Sequence, residues 1–420
     1  MRRTHIFLAA TCTMIALAGC TSASSAPASS QPPAAQASDS PTAEATPEPT
    51  STATPSEISI VAGGDILLHL SVNAAAWNGS TYDYTTLFSG ISDWISGADL
   101  ALCALEVPIV PDGQEPSNYP NFGAPPEIAT SLKHMGWDGC ALATNHSMDR
   151  GFAGVESTIR HLEAEGLGHA GTARTQEEAD EIQYYTLETG GRDLKIAHIS
   201  ATTLTNGIPI PAEHPYSWNV VGSLGNNSVE DIIADAKEAR AKGAGLVVVS
   251  MHWGTEYVSD PIEEQTLIAQ ELADSGEVDV IFGNHSHVPE PVTKVDGGPD
   301  GQGMWVVWSM GNLISGQTIE NHGYRVTTGL LTTATVSVPP EGSAHVTNLE
   351  WTAVTQDDRT DHLFLLNRLM NGEGGTGMSL SAAEIQARAD ATYPVMEADG
   401  SSERTVAPTG QSTLVSIARQ

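Results

Sequence analysis

The sequence predicts an α/β layered fold, on three observations. From residue 58 onward, short unbroken apolar runs recur, as strands covered on both faces do. Between them lie segments whose apolar residues keep helical spacing, so helices would supply the cover. Carboxylate, amide and imidazole residues also gather just after the apolar runs, and in open α/β sheets ligands bind beyond the carboxyl ends of strands.

Residues 58–68 form the first run and enter Gly63-Gly64-Asp65. Residues 87–95 have helix-like spacing, and residues 100–105 are the next strand. Pro125-Pro126-Glu127 opens a helix that carries Ile128, Leu132 and Met135 on one face, and Gly136 ends it. Strand 140–143 and helix 151–162 follow. Residues 195–200 read as a strand, and Ser228 with Asp231 caps a helix over 229–240. Residues 246–251 are a buried strand. Asp260, Pro261 and Glu263 start a helix that runs to about residue 273, followed by strands 278–282 and 304–310. Residues 328–338 and 346–354 read as a terminal hairpin. Beyond Asp357 the pattern supports one or two helices, and from about Gly400 a loose polar end. No short-period repeat is present.

Composition narrows the function. Eighteen Lys and Arg stand against 51 Asp and Glu in 420 residues, a formal charge of −33. Nucleic acid is excluded as a partner, because phosphate binding needs a basic face. A polyanion is accommodated only where bound cations neutralise the site locally.

The amino end reads as an address. Arg2 and Arg3 precede an apolar run over 6–18 that ends in Leu17-Ala18-Gly19-Cys20, which resembles a bacterial lipobox. Residues 1–19 are then a lipoprotein signal peptide, with Cys20 the lipidated first residue of the mature chain. Residues 20–57, rich in Ala, Ser, Thr and Pro, read as a tether lifting a domain off the outer face of a bacterial membrane. Cys12 leaves with the signal, so Cys103 and Cys140 remain in an oxidising compartment. Both lie in apolar runs, and two buried free thiols are favoured over a disulfide.

The strand ends carry the chemistry. Asp65, Glu106, Asn145 with His146, His252, and His285 with His287 each follow an apolar run. Two carboxylates, an amide oxygen and three imidazoles suit a divalent ion such as Zn, Mn or Fe. A carboxylate can bridge two such ions about 3.5–4 Å apart. Each residue alone is an ordinary turn, cap or solvated loop residue. Their ordered placement after successive strands makes the set specific.

The segments VAGGDILLH, LALCALEVPI, FGAPPEIATSLKHMGWDGCALATNHSMDRG, VVVSMHWGTEY, VIFGNHSHVPEPV and WSMGNLIS resemble the CapA family. These are poly-γ-glutamate capsule synthesis proteins within the calcineurin-like metallophosphoesterase superfamily. The resemblance runs from about residue 58 to about residue 338, within a domain placed at 58–355, with 356–420 as a C-terminal extension. It implies a four-layer α-β-β-α sandwich, an α/β fold with one or two divalent ions at the strand ends. By position, Asp65 and His287 would hold one ion, Glu106 would bridge, and Asn145, His252 and His285 would complete a second. His146 would give a proton to a leaving oxygen. Asp149 either orients His146 or caps the next helix. Glu256 touches substrate or holds its loop; Trp253 walls a pocket or packs in the core. Asn312 contacts substrate or serves a turn. Arg150, Lys294 and Arg325 are cations near the motifs, and Arg150 is the one assigned to substrate. The implied partner is an anionic surface polymer or its synthesis machinery.

One departure matters. The superfamily's first motif is usually D-x-H, and here Leu67 stands in the third place, with His69 two residues further on. The site is one expected ligand short, which leaves open a single ion or a domain that binds polymer without cleaving it.

Overall fold

A computed structural model describes residues 55–397 and 401–420. The signal peptide, Cys20 and nearly all of the tether lie outside the described residues. The first apolar run forms β1 (Ser56–Leu67), and β2 (Leu100–Leu105), β3 (Gly139–Ala141) and β4 (Gly168–Ala170) follow it as parallel neighbours in one sheet. A second sheet starts with the antiparallel pair β5 (Gln183–Thr189) and β6 (Arg192–Thr202), continued in parallel by β7 (Leu246–His252) and β8 (Val280–Asn284). β9 (Val292–Val295) and β10 (Met304–Val307) extend it. The chain then returns to the first sheet through β11 (Asn312–Ser315), β12 (Thr328–Val338), β13 (His345–Gln356) and β14 (Leu363–Leu365). β15 (Thr413–Arg419) closes the second sheet beside β5. The strand orders are β14-β13-β12-β1-β2-β3-β4, with β11 also on β1, and β15-β5-β6-β7-β8-β10-β9.

Alternation along each strand builds the layers. Ile58, Ile60 and Ala62 of β1 and Leu100 and Leu102 of β2 meet Leu194, Ile196, Val248, Val280 and Phe282 of the second sheet in one core. The opposite faces turn outward to helices. α1 (Leu70–Ala76), α2 (Ser92–Ser96), α3 (Glu127–Met135) and α4 (Gly151–Ala164) cover the first sheet, where Ile128, Leu132, Val155 and Ile159 pack on Ala101, Cys103 and Leu105. A short α5 (Gln176–Ala179) precedes α6 (Val229–Ala241) and α7 (Glu263–Ser275). The last two cover the second sheet through Ile232, Ala236, Ile268 and Leu272 against Val247, Val249 and Ile281. The four-layer sandwich is therefore present. α8 (Ile319–His322), α9 (Leu366–Met370) and α10 (Ala382–Met396) complete the helices. The Ser228–Asp231 capping box forms at α6 as its sequence requires.

Gly64 is needed for the end of β1. β12 pairs with β1 only as far as Gly63, and β11 takes over at Asp65 opposite Asn312. At this exchange a Cβ on Gly64 would lie 2.1 Å from the Gly311 carbonyl. The Asp65 amide donates to that same carbonyl at 2.8 Å, which fixes where its carboxylate begins.

The structure corrects four expectations. Helix over 87–95 shrinks to α2, because the Leu87 carbonyl accepts from Leu363 N and Gly90 lies against the Leu363 carbonyl. The two thiols are paired: Cys103 and Cys140 are register partners on β2 and β3, 4.4 Å apart at Cα, and form a disulfide. The boundary at 355 is no break in packing, since Leu366, Leu369, Ile385 and Met396 join the core between the sheets. Residues 401–420 are not loose. They run past Trp351, where Arg404 N donates to its carbonyl, and end in β15.

Asp99 ties that strap down. One carboxylate oxygen accepts from Ser59 N at 2.8 Å and Ser59 Oγ at 2.9 Å; the other accepts from Gln411 N at 2.8 Å and Ser412 N at 2.7 Å. Asp99→Ala removes four bonds to a charged acceptor and is expected to lower unfolding free energy by about 2–4 kcal/mol. Urea denaturation measures this, and limited proteolysis should find the strap of the variant cut first.

Candidate metal centre

Both sheets deliver side chains to one place. Asp65 lies near the end of β1, Glu106 follows β2 and Asn145 follows β3; His252 ends β7, and His285 and His287 follow β8. Asp65, Glu106 and Asn145 are completely buried, and the three imidazoles nearly so. Ligand atoms of Asp65, Glu106 and His287 lie within 4.8 Å of one another. His287 Nδ1 is 3.5 Å from Asp65 and its Nε2 4.0 Å from Glu106. His252 Nε2 lies 2.8 Å from Asn145 Oδ1 and 3.8 Å from Glu106, and its ring centre is 4.9 Å from that of His285. The six residues named from sequence are thus brought together, in two groups that meet at Glu106.

Backbone geometry points to function here. His285 and His287 have φ of 97° and 60°, in the left-handed region that imidazole residues rarely occupy. Such strain costs about 1–3 kcal/mol per residue and persists only where surrounding structure imposes it. It turns two histidines on one short loop toward the carboxylates.

The electrostatics fit a divalent ion. Asp65 Oδ1, both Glu106 oxygens and His285 Nδ1 have no hydrogen-bond partner, although all are sealed from solvent. No Lys or Arg pairs with Asp65 or Glu106 among the described residues. Burial and the Asp65 charge push the Glu106 carboxyl above its usual range. Burial alone would lower His287, but Glu106 and Asp65 outweigh it and raise it to about 9. Burial holds His252 and His285 well below the ordinary value, so both are neutral and ready to coordinate. Orphaned carboxylate oxygens beside neutral imidazoles are the donor set of Mn, Zn or Fe.

His146 is oriented as a proton donor. Its Nδ1 lies 2.7 Å from Asp149 Oδ2, which also accepts from Phe122 N at 2.7 Å. Asp149 does not cap α4, whose cap position is Arg150 without a side-chain bond. Asn206, absent from the sequence reading, belongs here. Its Oδ1 accepts from Asn145 Nδ2 at 3.2 Å, which turns the Asn145 oxygen to His252, and its Nδ2 lies 3.4 Å from His146 Nε2. The signal was available: the Asn206-Gly207 turn follows β6, another strand ending on the same side.

Other assignments change. Arg150 does not face the site: its guanidinium donates to the Phe122 carbonyl and to Ser117, bracing the loop that carries Phe122. Asn312 accepts from His287 Nδ1 at 3.0 Å and donates to Gln317 and the Val326 carbonyl, so it positions a ligand rather than meeting substrate. Trp253 is core, its indole N–H bonded to the Trp308 carbonyl. Glu256 stands half-exposed at the rim, 4.0 Å from His287. Lys294 lies over Trp305, and Arg325 donates to Ser259. Leu67 is buried in the core under the helices, and His69 Nδ1 accepts from Gly316 N at 3.0 Å.

The family model for the bacterial capsule synthesis protein PGA_cap matches residues 59–317, which contain every residue of this centre. The chain belongs to that family. Among curated relatives, the capsule biosynthesis protein CapA of Bacillus anthracis is 25% identical over 62% of this chain and 60% of its own. The PGA biosynthesis protein CapA of Bacillus subtilis is 30% identical over 46% of each. A probable polyglutamine synthesis accessory protein of Mycobacterium tuberculosis is 25% identical over 49% of this chain and 54% of its own. The chain thus spans about half to three-fifths of the length of these relatives. Among solved structures, the Haemophilus influenzae NAD nucleotidase overlaps 84% of this chain and 65% of its own at 16% identity and TM-score 0.43. The calcineurin-like phosphoesterase YfkN of Bacillus subtilis overlaps 81% and 97% at 12% identity and TM-score 0.38.

Below about pH 9 the metal-free centre keeps a proton on His287, and an arriving ion must displace it. Apparent Mn²⁺ affinity should therefore rise with pH, by up to about tenfold per unit for one proton. Calorimetric titration of chelator-stripped protein at about pH 7 and about pH 8.5 checks this; equal affinities would contradict it.

Proposed function

We infer that the chain is an exported, lipid-anchored protein whose family domain is a metal-dependent phosphoesterase serving the synthesis, export or anchoring of an anionic surface polymer such as poly-γ-glutamate. The observation that carries the reading is the pair of buried carboxylates, Asp65 and Glu106, which no Lys or Arg pairs with among the described residues and which face three imidazoles. Asp65, Glu106, Asn145, His252, His285 and His287 would hold one or two divalent ions. A bound ion supplies positive charge against charge developing on a phosphoryl oxygen and makes a water more acidic.

The protein's own groups supply the rest. Asp149 holds the proton on His146 Nδ1 and stabilises the imidazolium, leaving Nε2 to deliver a proton to the departing oxygen. Asn206 fixes the Asn145 carboxamide, and its Nδ2 lies 3.4 Å from His146 Nε2, so one side chain neighbours both ligand and imidazole. His146→Ala should lower kcat about 10²–10⁴-fold on a phosphodiester with an alkoxide leaving group, with metal content unchanged. Loss of metal in that variant, or full activity, would remove His146 from this role.

Leu67 favours a second reading, a polymer-binding or assembly protein on a fold with a reduced site. Complementation separates the two: if His146→Ala restores surface polymer fully in a deletion strain, catalysis is not what the cell requires.

The anchor rests on the sequence of residues 17–20. No helix among the described residues is long and apolar enough to cross a membrane. Cys20→Ser should abolish labelling by a palmitate analogue and release the protein from the membrane fraction, whereas unchanged fractionation would contradict the anchor.

A further inference from the structure

Away from the metal centre, a cavity of about 290 Å³ opens between the turn after β4, strands β5 and β6, and α6. Its walls include Thr172, His198, Asn219, Asn226, Asn227 and Asp235. That volume sits at the low end of the range for small-molecule sites.

The polar groups of the wall are unequal in kind. Amide donors are spent inside the protein: Asn219 Nδ2 on the Ser200 carbonyl, Asn227 Nδ2 on Asn219 Oδ1, and Asn226 Nδ2 on the Pro215 carbonyl. The terminal nitrogens of Arg419 are spent on the carbonyls of His169, Glu178 and Glu181, with Nε 3.9 Å from the Glu181 carboxylate. Left open are His198 Nδ1, Thr172 Oγ1 and Arg419 Nε, all buried and without a hydrogen-bond partner, together with the Asp235 carboxylate. Asp235 is partly buried and engages in neither a hydrogen bond nor an ion pair among the described residues. Burial, with Glu238, Asp231 and Asp180 nearby, pushes it up to about 6. His198 is completely buried, and while Nε2 meets Ser250 Oγ at 2.9 Å, its Nδ1 has no partner. Thr172 Oγ1 is buried and unpartnered as well. Burial holds His198 neutral, with its pKa lowered to about 3, so it adds no positive charge.

A partly buried carboxylate without a paired cation is unfavourable, and an ion pair with hydrogen bonds relieves it. We propose that this cavity is a binding site for a small aliphatic ammonium ion, seated on the Asp235 carboxylate and bonded to the open oxygen and ring nitrogen of Thr172 and His198.

Three probes of one length and different charge test it: 1,4-diaminobutane, 1,4-butanediol and succinate, titrated into the full chain at about 150 mM salt to screen the overall −33 charge. Calorimetry should detect the diamine alone, with an affinity unchanged after chelator treatment of the metal centre. Asp235→Asn keeps the shape and removes an unpaired, partly buried charge, so it should fold at least as well, and it should weaken the diamine about tenfold or more. Equal binding of the diol, undiminished binding in Asp235→Asn, or no diamine binding at millimolar concentration would each overturn the proposal.

Discussion

Two carboxylates buried with no Lys or Arg partner among the described residues set the terms for this protein. Asp65 and Glu106 lie where the sheets converge, and desolvating such a pair is among the most costly things a fold can do. Much of the local construction serves to hold them there. Gly64 lets β1 change partners, so that Asp65 emerges at a fixed point. The strained loop at 285–287 brings two imidazoles over them, and Asn312 locks one of these in place. The protein tolerates the charge only because a proton or an ion shares the cluster.

Much of this was readable in the chain. Strands covered on both faces announce themselves as unbroken apolar runs, and the residue after each run is placed by the strand itself. Asp65, Glu106, Asn145, His252 and His285 were legible for that reason. The sandwich was legible too, because alternation assigns each strand residue to one core or the other. Other features depend on tertiary register. The Cys103–Cys140 pairing requires knowing that β2 and β3 are neighbours in that alignment. Arg150 lies within a motif, yet its guanidinium is taken by a carbonyl 28 residues away, which spacing along the chain does not reveal. β4 is three residues long and β15 half-exposed, so neither has the apolar signature of a strand.

Asn206 shows the difference between a rule and its application. The turn after β6 lies on the same side as the other ligand-bearing loops, but its asparagine reads as an ordinary Asn-Gly turn. Only the partners of its amide, Asn145 on one side and His146 on the other, set it apart. Hydrogen-bond direction, not residue type, carries that information.

The closing strand also has a consequence for how the chain is made. Gln183, in β5, donates to the carbonyl of Ala418 in β15, 235 residues later. Synthesis proceeds at about 5–20 residues per second, so the edge of β5 waits roughly ten to fifty seconds for its partner. Throughout that interval it presents unpaired amides and carbonyls that another nascent chain could engage. Deleting β15 would leave that edge bare.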